Sequence, residues 1–531
     1  MMNPKLQCIG ASAALGLLIL SIPNHVSAAD STQLHFQNTC RADVHAEFDS
    51  AVALLHSFEY PESTAAFNAI AEKDPDCAMA YWGLAMNIWH PLWARPSRQD
   101  LQNGASVLSR TESLSVSSRE ASYINALKSF FSSDDVATHV ERAGMYEENM
   151  RQLYTANIDD PEAVIFYALA LLTTADPADS TYAKSYQSAS LLNWAKDSQP
   201  SHPGVLHYLI HAYDKPELAH LALEVAEHYA EAAPDSTHAQ HMPSHIFTRL
   251  GLWEKALASN VDSTRSAEEF THRANLPGHY DEGLHSLDYL MYAMLQSARD
   301  EEAADLLDKL STIDNTDVDS FKVAYTYAAT PARYVMERQQ WQDASNLELL
   351  HPDFPWQEFQ WAQSIHHFAR GVGAARSNQL ERAKSELSRI IAIRENLSSS
   401  IAPYFSEQVQ IHIAHVDAWI QFGEGNSEDA LQLSAQTADR EDSVVKHPVA
   451  PSEVIPAREL YADMLFESGM YAESLEQFQI VLSNYTNRLN ALVGVARAAE
   501  ELGNIELSEI YREFIRVQTL AGNQQRNSLT P

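Results

Sequence analysis

Between Pro200 and Asp288 lie 11 of the chain's 23 histidines, and two segments in that stretch place them at a spacing that can do chemistry. His207-Tyr-Leu-Ile-His211-Ala-Tyr-Asp214 and His238-Ala-Gln-His241-Met-Pro-Ser-His245 each carry a histidine pair four residues apart. On a helix that separation puts both imidazoles on one face, one turn apart. His207 to His241 is a step of 34 residues, and so is His211 to His245. Imidazoles from neighbouring helices can meet through a shared ion, and nitrogen-rich sites with a carboxylate suit Zn, Cu, Fe or Ni. Ca and Mg would call for more oxygen.

A single histidine on a helix is usually packed or solvated, and one such pair is weak evidence of metal. Two pairs in register carry more. Three readings stay open: a transition-metal site, a histidine-lined groove for an acidic or polar ligand, and imidazoles hydrogen-bonded between repeats as structure. Neither segment reads H-E-x-x-H, so a zincin mechanism has no support, and no nucleophile elbow or phosphate loop occurs in a fitting context.

The elements that must position these residues are helices. Apolar residues recur at three- and four-residue spacing after Ala29, and alternating β-branched runs are absent. Prolines such as Pro61, Pro161, Pro200 and Pro234 sit where helices begin. Pro200 and Pro234 are 34 residues apart, as are Gly469 and Gly503, and Ala462 and Ala496. This grammar resembles the tetratricopeptide (TPR) superfamily, whose helix pairs repeat every 34 residues. The resemblance implies an all-α, right-handed α-solenoid of helix-turn-helix repeats. HYLIHAYD and HMPSHIFTRLG are also similar to segments of a group of exported bacterial TPR proteins, which implies export and architecture but no chemistry.

In a TPR the first helix of each repeat lines the concave side. Carried onto this chain, that alignment puts three helices around one groove, offering His207, His211 and Asp214; His238, His241 and His245; and His285, Asp288 and Tyr292. The third repeat is aligned through Ala298 to Ala303 against Gly251 to Ala256, with a longer loop around Asn275 to Tyr280. These histidines with Asp214 and Asp288 are the candidate metal ligands. His56 and His90, again 34 residues apart, with Asn87 and Tyr292, are candidate groove contacts. Trp82, Trp89 and Trp93 read as core before ligand box.

Composition narrows the partners. Against 36 Lys plus Arg stand 71 Asp plus Glu, a net charge of −35, so nucleic acid would be repelled and a basic membrane face is not expected. Lys5, the apolar run Ile9 to Ile22 and Val26-Ser27-Ala28 read as a signal peptide over residues 1–28, short of the about 20 apolar residues of a membrane span. The expectation is a periplasmic or secreted protein without stable membrane insertion. In that oxidising setting Cys40 and Cys77, each just before a helix, could form a disulfide. Residues 29–440 read as the main solenoid with its His-rich repeats at 200–296, 441–450 as a linker, 451–520 as a C-terminal TPR pair and 521–531 as a tail.

The functional expectation is a binding or scaffold protein. Its groove would hold a divalent transition metal, a peptide, or a small polar ligand. The alternatives are a metal-dependent enzyme in which the ion activates water, and a metal-free peptide-binding adaptor.

Overall fold

The structure, a computed structural model, describes residues 34–93, 95–397 and 403–522. The export signal expected over 1–28 and most of the expected tail lie outside these residues. Among them, β-type pairing is confined to a single bridge between His279 and Thr316. Everything else is helix and connecting turn, from His45–His56 to Ile505–Gln518.

The chain is an all-α solenoid of helix hairpins, and the same turn closes most of them. Phe58, Gly251, Ala298, Gln339, Asn378, Gly425, Gly469 and Gly503 all have positive φ. In each case the following N–H bonds back to a carbonyl five residues earlier, as Leu252 to Phe247, Arg299 to Met294 and Met470 to Leu465. One left-handed residue thus satisfies the last carbonyls of the first helix and turns the chain into the second. From Gly251 onward the interval between such residues runs from 34 (Gly469 to Gly503) to 47 (Gly251 to Ala298, and Asn378 to Gly425). That spread is why the period looks irregular between Asp300 and Pro451.

Within hairpins, small residues let helices approach. A Cβ on Gly83 would lie 2.4 Å from the Phe67 ring, and one on Gly494 would lie 2.4 Å from Phe478. The same ring-over-glycine contact therefore recurs near both ends of the solenoid. At the N-terminal end Cys40 and Cys77 are disulfide-bonded with Cα atoms 4.6 Å apart, tying the entry segment to the start of helix Ala78–Ile88.

Two features depart from the sequence reading. The stretch 441–450 is not a free linker: Val449 and Ala450 at its end are buried, as are Val454 and Ile455 just beyond it. It runs inward across the concave side of the His-rich repeats, where Tyr289 donates to the Pro448 carbonyl at 2.9 Å. The C-terminal hairpins are likewise not a separate pair. They fold back on the middle of the chain, with Trp253 donating to the Asn487 carbonyl and the Leu489 N–H to Gln296 Oε1.

Candidate metal centre

Helix Pro203–Tyr213 carries His207 and His211. His202 caps it, its Nδ1 accepting from the Gly204 N–H at 3.1 Å, which satisfies one of the open donors at a helix start. The next inner helix is broken in two. Thr237–His241, capped by Ser236, bears His238 and His241, and Pro243–Arg249 bears His245. Pro243 lacks the N–H that a continuous helix would need there. His285 stands in the first turns of Asp281–Gln296.

These helices gather the six histidines into two trios. His207, His211 and His238 form one and His241, His245 and His285 the other, with one ring nitrogen per residue inside 4.8 Å of its partners. The trios are the same motif written twice: a pair four apart on one inner helix, completed by a histidine from the next. In the first, His207 Nε2 lies 3.0 Å from His211 Nε2 and 3.1 Å from His238 Nε2. In the second, His241 Nε2 and His245 Nε2 are 3.0 Å apart, and the His285 ring lies 4.4 Å from that of His241. Ligand nitrogens sharing an ion at about 2.0–2.1 Å would stand about 3.3 Å apart.

The outer ring nitrogens are committed elsewhere, and this fixes the protons. His207 Nδ1 donates to the His56 carbonyl at 2.6 Å. His241 Nδ1 donates to Asn260 Oδ1 at 2.7 Å, and Asn260 is held in that orientation because its amide donates to the Ala256 carbonyl. His245 Nδ1 donates to Asp214 Oδ2 at 3.0 Å, while Arg249 donates to the other oxygen at 2.9 Å. A neutral imidazole has one proton. With it on Nδ1, His241 and His245 turn two bare Nε2 lone pairs toward each other. Neither nitrogen of His285 has a hydrogen-bond partner among the described residues.

Burial keeps His207, His211, His241, His245 and His285 neutral. His207, His241 and His285 are 0–1% exposed, and burial, reinforced by neighbouring imidazoles, holds each well below the ordinary histidine range. His211 is pushed down to about 3 by the same causes. His245 is also lowered by burial, with Asp214 opposing. Burial would raise Asp214, but Arg249 and His245 hold it well below the usual carboxylate range.

Aromatic walls enclose the trios. Phe58 meets His207 edge-on at 4.5 Å and Tyr229 stacks on its other side. Tyr289 lies within 4.7–5.2 Å of all three rings of the second trio. Trp93 touches both trios, at 6.0 Å from His238 and 5.5 Å from His285. Trp93 also lies parallel to His447 of the inward-running segment, with ring centroids 6.4 Å apart.

The remaining sequence candidates fall elsewhere. Asp288 is no ligand here, because Arg333 and Thr330 take its carboxylate. Asp214 orients His245 and faces away from the ring nitrogens at the centre of the trio. The groove assignment of the other four is corrected by their contacts. His56 is fully buried, bonded to Glu162 and Tyr208, and His202 takes the other Glu162 oxygen. Those two imidazoles hold Glu162 far below its usual range despite burial. His56 reaches the trio only through its carbonyl. His90 is exposed and stacks on Tyr60, Asn87 donates to Ser63, and Tyr292 accepts from Arg488. The groove itself is closed at the histidines by Trp93 and the 446–454 stretch. Glu282 Oε2 lies 3.7 Å from His238 Nδ1. Sequence reasoning missed Phe58, Tyr229, Tyr289, Asn260 and Glu282; of the enclosing residues it singled out only Trp93, within the aromatic segment Trp82 to Trp93.

No family model matches this chain, and no curated protein matches it. Among solved structures, it is similar to a monomeric IFIT1 mutant with Gppp-AAAA, at 11% identity and a TM-score of 0.38 over 88% of this chain and 95% of that one. It is also similar to the TPR domain of P58(IPK), at 12% identity and a TM-score of 0.20 over 87% of this chain and 99% of that one.

Proposed function

We propose that this chain is an exported metalloprotein in which a TPR-type solenoid serves as the scaffold for a buried transition-metal centre. His207, His211 and His238, with His241, His245 and His285, are its ligands. The observation that carries this reading is the facing pair of Nε2 lone pairs on His241 and His245, 3.0 Å apart while both Nδ1 protons are engaged by Asn260 and Asp214. Two lone pairs at that distance repel unless a cation lies between them, and burial disfavours a proton in that role. The outer bonds also match what metal-bound histidines commonly do: the second ring nitrogen donates to a carboxylate or a carbonyl.

An all-imidazole donor set suits Zn, Cu, Fe or Ni over Ca or Mg. Enclosure of the site weighs against a peptide-binding adaptor. Three protein ligands per trio leave a coordination position for water or substrate, which favours the second reading, a metal-dependent enzyme. The disulfide supports export, since such bonds persist in oxidising compartments. Metal analysis of untagged protein tests the proposal: metal at one equivalent or more is expected, with loss in the His211→Ala plus His245→Ala double variant. Metal-free wild-type protein that stays so after incubation with Zn(II) and Cu(II) sinks it.

A further inference from the structure

We propose that the six imidazoles hold two ions, one per trio, as a single paired centre that takes a small anionic oxygen ligand, hydroxide, as a bridge between them. This deepens the metal reading above and rests on it.

One ion cannot serve all six rings. Their ligand atoms divide into two groups, each gathered within 4.8 Å. Each group has its own focus: His207 Nε2 between His211 and His238 in one, and the facing His241 and His245 nitrogens in the other. The duplication follows from the repeat. A helix pair that places two histidines and borrows a third from its neighbour does so again one repeat later.

The trios are neighbours. One indole, Trp93, contacts His238 from the first and His285 from the second. Both trios also draw on one short helix, since Thr237–His241 carries His238 of the first and His241 of the second, one turn apart. Two divalent cations in adjoining trios repel in a low-dielectric interior. Their ligands are neutral imidazoles that contribute no negative charge. The nearby carboxylates already face cations: Asp214 is paired with Arg249, and Glu282, 3.7 Å from His238 Nδ1, shares Lys322 with Asp281. An anion between the ions removes that repulsion, and three-ligand sites leave positions to hold it. Water bound to such cations loses a proton near neutral pH. The bridge forms when one water enters, gives a proton to solvent and donates two lone pairs, one to each ion.

Cu(II) is the probe, because hydroxide-bridged Cu(II) ions couple their spins. Untagged chain is stripped with chelator, reloaded with Cu(II), and assayed for bound copper and by quantitative EPR. Two equivalents per chain are expected, with an integrated spin less than a fifth of the copper present. The His207→Ala plus His211→Ala variant and the His241→Ala plus His245→Ala variant should each keep one equivalent, now with full spin. Circular dichroism checks that each is folded, and His285→Gln supplies a milder test should one of them not fold; it too should release full spin. One equivalent in the wild type, or two with full independent spin, overturns the pairing and leaves the metal reading intact. No bound copper or zinc at all overturns both.

Discussion

At the scale of single residues, the distinction that matters is between nitrogens that face inward and the groups that aim them. Asp214 holds the His245 ring by its Nδ1 proton while Arg249 fixes the carboxylate. Replacing such an orienting partner typically weakens metal binding 10–100-fold. Asp214→Asn should therefore lower affinity by about that factor without changing stoichiometry, measured by competition with a chromophoric chelator; unchanged affinity would remove Asp214 from the centre. Other buried histidines make a separate prediction. His412 and His415 are pushed down to about 3, mainly by burial. Their folded-state values lie below the unfolded value of about 6.5, so the unfolded chain binds more protons and stability drops as pH falls below that point. Each contributes a loss of about 1.4 kcal/mol per pH unit. Denaturant titrations between pH 6.5 and 5 should show this slope reduced by about one such increment in His415→Leu; an identical slope would refute it.

At the scale of elements, position is set by close approach. A Cβ on Gly204 would stand 2.5 Å from His56 Nδ1, and the His56 carbonyl is what receives the His207 proton. Gly204→Ala should push the His56 ring back and cost about 1–3 kcal/mol by overpacking. It should also weaken metal binding in the first trio more than in the second, read from stepwise titration; a stability loss with both steps unaltered would uncouple His56 from the centre. Much of this level was legible in the sequence. The 34-residue step between His207 and His241 was enough to put both pairs on inner helices, and His238 and His285 followed from the same register. What the register could not carry was partner choice across repeats. Asp288 occupies a place equivalent to His207 and His241, yet Arg333, which no repeat alignment pairs with it, takes its charge. Nor could spacing show that Phe58 adopts a left-handed backbone at the hairpin turn and lies against His207, since that geometry rarely favours a bulky residue.

At the scale of the whole molecule, the solenoid is closed upon itself, and closure decides access to the centre. A linker was the natural reading of an acidic, proline-containing stretch near 441–450, because composition records solvent preference and not which long-range surface a segment meets. In the fold, helices up to Ser427–Asp442 turn the chain back so that 446–454 crosses the mouth of the His-rich repeats. The C-terminal hairpins then lock against Trp253 and Gln296. His447 lies parallel to Trp93, and Phe321 and Phe405 pack edgewise or tilted against His447. An ion entering or leaving must wait for this aromatic cover to open, so exchange should be slow relative to what three exposed imidazoles would allow. Trp93→Ala removes the indole that touches both trios and His447 together, while leaving every metal-facing nitrogen in place. Chelator-driven metal release, followed by stopped-flow absorbance, should accelerate at least about tenfold, a lowering of the opening barrier by about 1.4 kcal/mol. Stoichiometry should stay that of the wild type. Release at the wild-type rate would mean that ions pass by another route, and that the segment across the mouth serves the packing of the C-terminal hairpins and not the guarding of the centre.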